Sequence, residues 1–141
     1  MKQGLLIITA ILLFPLKISP SLPYQLIIWN VGQGQWVTLR MNSKCLHLDA
    51  GGEIFNWMAF AHDCGGKQQQ ILFTHADWDH ISFSRSLQKR FPLLCTWKEF
   101  EPREATKKAR KVFAKIPPCS GSFPKYLKAF LVEPLFLQGR R

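Results

Sequence analysis

Acid is scarce in this chain: nine Asp and Glu stand against nineteen Lys and Arg in 141 residues, a formal net charge of +10. The shortage is local. Residues 1–82 hold five of each sign and cancel, whereas residues 83–141 hold fourteen basic and four acidic side chains. No apolar run is long enough for a bilayer. The longest, Gly4 to Leu16, rises about 20 Å as a helix, short of a hydrocarbon core of about 30 Å. Four cysteines occur without a CxxC pair, which argues against a zinc knuckle. The length leaves room for one domain, which excludes a multidomain machine. With 47% hydrophobic residues and 13% aromatics, the chain is not a disordered tail and has the material for a core.

Residues 1–21, MKQGLLIITAILLFPLKISPS, pair one Lys with an apolar stretch of signal-peptide size. Lys17, Ile18 and Pro20 occupy the place of a cleavage site, so an uncleaved membrane anchor, or the end of a longer membrane protein, stays open beside a signal peptide. A buried first helix fits less well, because no polar face interrupts the run. The expectation is export, or attachment to the membrane by the N-terminus. Cys45, Cys64, Cys95 and Cys119 are compatible with export and with up to two disulfides, whose pairing the sequence leaves open. Cys45 lies in a core strand and reads best as a small buried hydrophobe.

From Tyr24 the pattern turns to short strands. YQLIIWN (24–30) and QWVTLR (35–40) flank Val31-Gly32-Gln33-Gly34, which predicts a hairpin with a tight glycine turn. KCLHLDA (44–50) sets Cys45, His47 and Asp49 against Leu46 and Leu48, a third strand. Residues 53–64 space their apolar side chains as a helix and stop before Gly65-Gly66. QQQILFTH (68–75) is a strand, residues 79–91 a helix opening at Asp79, and residues 92–97 a short strand. Residues 101–116 form a solvent-facing helix that begins with acids and ends with bases. Residues 125–137 read as a last strand broken at Pro134. This order mixes hairpins with crossovers and predicts an α/β or α+β domain, a mixed sheet with helices on one face.

The chemistry concentrates at the end of strand 68–75, in Thr74-His75-Ala76-Asp77-Trp78-Asp79-His80. Two histidines and two aspartates fall within six residues, between a strand and a helix, where α/β proteins place ligand sites. Imidazole and carboxylate are donors that divalent first-row metals accept. The same residues also fit an ordinary loop, with Asp79 as an N-cap, Asp77 as a loop carboxylate and the histidines as a satisfied core pair.

Three blocks occur in order: Asn30-Val31-Gly32-Gln33-Gly34-Gln35, then Leu46-His47-Leu48-Asp49-Ala50-Gly51-Gly52, then Ile71-Leu72-Phe73-Thr74-His75-Ala76-Asp77-Trp78-Asp79-His80-Ile81. Over residues 24–91 they resemble the metallo-β-lactamase fold, and within it the extracellular C-terminal domain of the DNA-uptake competence protein ComEC. The resemblance implies half of an αββα sandwich, with His75 and Asp77 serving one divalent ion (Zn or Mn) and Asp79 and His80 a second. Asp79 would also act catalytically, orienting or deprotonating a metal-bound water, while Asp49 braces the site without binding metal. It implies an exported hydrolase acting on phosphodiesters such as single-stranded DNA, because paired cations suit phosphoryl displacement. A β-lactam or small-ester hydrolase fits less well, since Asp77 stands where those enzymes have His.

Asn30 and Gln35 replace flanking aspartates of the family pattern, and Ser82-Phe83 replace a Gly-Gly. No His or Asp follows His80, leaving Glu99, Glu101, Glu104 and Glu133 as the later anionic donors. Four residues for two ions is an incomplete ligand set. The expectation is a partial domain, residues 22–141, that lacks its second half. Strand 68–75 would otherwise keep an open edge and an uncovered apolar face. The alternative is a non-catalytic DNA-binding or assembly fragment. Lys107, Lys108, Arg110 and Lys111 cluster on one helix, which suits a DNA backbone and equally suits a solvated helix face. Trp78, Trp97 and Phe100 could stack on bases, though such aromatics more often belong to a core.

Overall fold

The computed structural model describes residues 24–98 and 104–123. Five strands form one mixed sheet in sequence order: β1 (Tyr24–Ile28), β2 (Val37–Met41), β3 (Lys44–Leu48), β4 (Gln68–Leu72) and β5 (Cys95–Thr96). β1, β2 and β3 pair antiparallel, with Leu26 opposite Leu39 and Leu39 opposite Leu46. β3, β4 and β5 pair parallel, so each of the last two connections must cross over the sheet. Helix α1 (Trp57–Cys64) makes the first crossover, and α2 (Trp78–Ile81) with α3 (Ser84–Arg90) makes the second. Helix α4 (Lys107–Phe113) follows β5. The class is α+β.

Helices cover one sheet face. Phe60 and Cys64 of α1, Ile81 of α2, Leu87 of α3, and Ala109 and Phe113 of α4 share a buried cluster with Cys45 and Ile71. The aromatic centre of this cluster stacks Trp36 on Phe55 at 3.9 Å, with Phe60 at 5.4 Å from Trp36. The opposite face carries Leu46, Leu72, Trp97 and Phe123 without a helical residue among the described ones. That face is bare toward β1, where Leu26 is 58% and Ile28 76% exposed.

Several boundaries differ from expectation, each for a local reason. Residues 29–36 make a longer loop than a tight turn, closed by the Trp29 amide donating to the Trp36 carbonyl at 3.1 Å. The 79–91 helix is two pieces. Ser82 still closes the first piece by donating to Trp78 O, but the ladder breaks at Phe83, whose amide donates to Ala50 O, while the Ser82 hydroxyl donates to Gly52 O and accepts from Gly52 N, both at 2.9 Å. Helix α4 starts at Lys107, six residues later than the charge order predicts. Thr106 is its N-cap, accepting from the Ala109 amide, which offsets the lysines that oppose the dipole in its first turn. β4 is interior, flanked by β3 and β5, so the open edge expected at 68–75 is not there. The expected strand 125–137 and the N-terminal export segment lie outside the described residues.

All four cysteines are paired, Cys45 with Cys64 and Cys95 with Cys119. Cys45 is therefore half of a staple from β3 to the end of α1 and not a free buried thiol, because the helix spacing brings Cys64 down onto the same face. Beside it lies a closed polar network. The Trp29 indole donates to Thr38 Oγ1 at 2.8 Å, Thr38 donates in turn to His47 Nδ1 at 2.8 Å, and the Trp36 indole approaches the same nitrogen at 3.4 Å. His47 Nε2–H donates to Gln69 Oε1 at 2.9 Å, and the Gln69 amide donates to the carbonyls of Cys64 and Lys67 at 2.7 Å each. Every member has a partner, as a buried polar group requires. Burial holds the His47 imidazole down at about 4, against a smaller opposing effect of Gln69, so the ring is neutral.

Candidate functional site

The three sequence blocks meet at the carboxyl ends of β3 and β4. Gln35 N donates to Asp79 O at 3.1 Å, Gly51 N to Gln35 O at 3.1 Å, and Ala50 N to His80 O at 2.8 Å. Two glycines permit this interlock. A Cβ at Gly51 would overlap the Asp79 carbonyl, and one at Gly34, whose φ is +149°, would sit 2.7 Å from the same oxygen. Asn30 and Gln35 have structural uses here. Asn30 Oδ1 accepts from Gly32 N, and Gln35 contributes its backbone. The Ser82 hydroxyl ties this helix start to Gly52 in the place of a glycine.

Asp49 is the hinge of the site. It leaves the strand conformation with φ +58°, a region that Asp tolerates better than most residues, and its side chain is fully buried. Its Oδ1 accepts from the Thr74 amide at 2.7 Å, and its Oδ2 accepts from the Thr74 hydroxyl and from His80 Nδ1 at 2.8 Å. With its proton committed to Asp49, the Thr74 oxygen accepts from His75 Nδ1 at 3.1 Å. Both imidazoles are thus held through Nδ1, with ring centroids 4.9 Å apart. The hydrogen bond to Asp49 raises the His80 pKa above its ordinary value against partial burial, and the charges of Asp49, Asp79 and Asp77 act in the same direction. Thr74 was not singled out by the sequence reading. Its place directly before His75 was the available signal.

The expected ligands share one loop but not one point. His75, Asp77 and Asp79 are exposed, while His80 is partly buried. Asp79 Oδ2 lies 3.8 Å from His80 Nε2. Among the described residues no group of three His, Cys, Asp or Glu stands where it would hold a metal ion. The donor chemistry suits a divalent metal, and the Asp49–His80 pair has the form of a carboxylate that orients a metal-binding imidazole. The geometry of the described residues does not close around an ion.

Helix α4 brings the basic cluster to this loop. Ala109 and Phe113 are buried, while Lys107, Lys108, Arg110 and Lys111 face outward. Lys108 Nζ lies 3.5 Å from the Trp78 ring centroid, and Arg110 Nε donates to Ala105 O at 3.0 Å. No protein-family model matches this chain, and no curated protein matches it significantly.

Proposed function

We propose that this chain carries the first half of a metallo-β-lactamase-fold hydrolase of the ComEC competence type, exported and directed at phosphodiesters such as single-stranded DNA. One observation carries the reading: three separated blocks interlock through backbone bonds around a buried carboxylate that orients His80. In this reading the bare β1–β2 face of the sheet is the inner face of an αββα sandwich. The two disulfides support export, because they persist in oxidising compartments.

His75 and Asp77 are proposed as donors to one Zn or Mn ion and Asp79 and His80 to a second, with further donors required from outside these residues. Such ions would lower the pKa of a bound water and neutralise charge on a phosphoryl group. The chain's own residues do the positioning. Asp49 and Thr74 fix both imidazoles through Nδ1 and leave Nε2 outward. Asp79, exposed beside His80, would hold a water proton.

Titration of the purified chain with Zn and with Mn tests this. The expected result is saturable binding from which His80→Ala removes the ion that it shares with Asp79, and which Asp49→Asn weakens at that ion about tenfold to hundredfold. Absence of binding, or affinity unchanged in both variants, would overturn it. A second reading, a non-catalytic DNA-binding fragment, is favoured by the failure of three donors to converge among the described residues. It predicts salt-sensitive DNA binding that neither chelator nor His75→Ala alters.

A further inference from the structure

Trp78 is an oddity for its position. It opens α2 in the middle of the candidate site loop, yet it is 51% exposed and does not join the buried cluster beneath it. The ring is covered from one side by Lys108, whose ammonium sits 3.5 Å from its centroid. Between them runs a groove of about 140 Å³, lined by Ala76, Asp77, Trp78, Ile81, Thr106 and Lys108, with Ala109 at its floor. An apolar floor, one exposed indole and one cation give two different kinds of recognition within one side chain's reach. Outside the groove the same helix presents Lys107, Arg110 and Lys111 with no acid in its first turn. Asp77 is the carboxylate of the groove lining.

We propose that this groove is a stacking subsite for one base of a single-stranded polynucleotide. A nucleobase takes the place of the Lys108 ammonium on the Trp78 face, and the displaced ammonium pairs with the adjoining phosphate. The exchange conserves the cation's attraction, since a phosphate replaces a π face as its partner. It also distinguishes nucleic acid from a merely anionic surface. A lipid headgroup or polyphosphate satisfies Lys108 but has nothing to place on the indole, whereas a base has a π face that stacks regardless of sequence. The partner commitment rests on the phosphodiester reading of the neighbouring site. The surface itself needs no metal.

The test is fluorescence anisotropy in excess EDTA, with an oligothymidylate of about fifteen nucleotides, an abasic deoxyribose-phosphate oligomer of equal length, and phosphatidylglycerol vesicles as probes. The intact chain is expected to prefer the oligothymidylate over the abasic strand by about tenfold. Trp78→Ala should erase that preference and Trp78→Phe should keep most of it, while Lys108→Met lowers the slope of log affinity on log salt by about one. Equal binding of the two strands by the intact chain, or a preference that survives Trp78→Ala, overturns the proposal. So do vesicles that bind and that oligothymidylate fails to displace. Because chelator is present throughout, loss of metal binding elsewhere sinks the hydrolase reading and leaves this result untouched.

Discussion

His47 and Asp49 are two residues apart on one strand end, yet they belong to opposite kinds of polar structure. His47 is fully buried with both ring nitrogens engaged, and its partners Thr38 and Gln69 are themselves satisfied. The Asp49 network starts equally buried but opens outward: His80 is held by one nitrogen, His75 is exposed, and the loop carboxylates face solvent. The first network leaves no site for a ligand and holds the core. The second leaves the outer nitrogens of two oriented imidazoles. A histidine's use is thus read from which of its nitrogens are already committed, and the two regions should answer perturbation differently.

The sharpest way to break the contrast is at the closed network. His47→Ala removes a fully buried ring and leaves the Trp36 indole N–H, the Thr38 hydroxyl proton and the Gln69 side-chain carbonyl without the partner it supplied. An expected loss of about 4 kcal/mol follows from the cavity and the unpartnered groups together. Urea unfolding measures it, and a loss below about 1 kcal/mol would show that the network is incidental.

Next comes the staple that shares this region. Gln69 donates to the Cys64 carbonyl, so the Cys45–Cys64 bond fixes one end of the His47 network. Its sequence separation of 19 and the 24 of Cys95–Cys119 are similar, and replacing either pair by Ser should cost about 3 kcal/mol through loop entropy. If packing around His47 adds to that entropy, the first pair will cost more than the second, by the same unfolding measurement.

Acid separates the regions by sign. The His47 imidazole titrates near 6.5 when unfolded and at about 4 when folded, so the unfolded state binds more protons between those values. Stability from this group is therefore complete above about 6.5 and is lost as pH falls toward 4, to a total of about 3 kcal/mol. The difference in unfolding free energy between the intact chain and His47→Gln, followed from pH 7 to pH 4, isolates it from carboxylate titration. A flat difference would mean the buried ring is not the acid-sensitive element.

Much of this contrast was legible in residue order, and some was not. The antiparallel β1–β2–β3 meander, the helix ending at Cys64 and the β4 strand follow from period and glycine punctuation, which are local signals. Asp49 stands at the end of its strand just before Gly51-Gly52, but its bonds to Thr74 and His80, 25 and 31 residues later, are long-range. The His47 network escaped notice because its partners stand 9, 11 and 22 residues away, and only sheet register brings them together. The break at Ser82–Phe83 escaped for the same reason. Its cause is the Gly52 and Ala50 backbone, thirty or more residues earlier. The late start of α4 was hidden by an acid-to-base charge order that mimics a helix beginning at residue 101. Local propensity placed the elements, whereas the closures that make one histidine inert and expose another are long-range.

The smallest expected effect falls in the open region. His80→Ala removes a ring whose side chain is 17% exposed, so water reaches the space it leaves, and Asp49 keeps both bonds from Thr74. A buried carboxylate that retains its two nearest donors and gains a water loses far less than an orphaned core group, and the expected cost is about 1 kcal/mol. The comparison with His47→Ala is then about fourfold in unfolding free energy for the same substitution. Should His80→Ala cost as much as His47→Ala, the Asp49–His80 pair would be core architecture. The outward nitrogen of His80 would then be a by-product of packing and not an oriented donor.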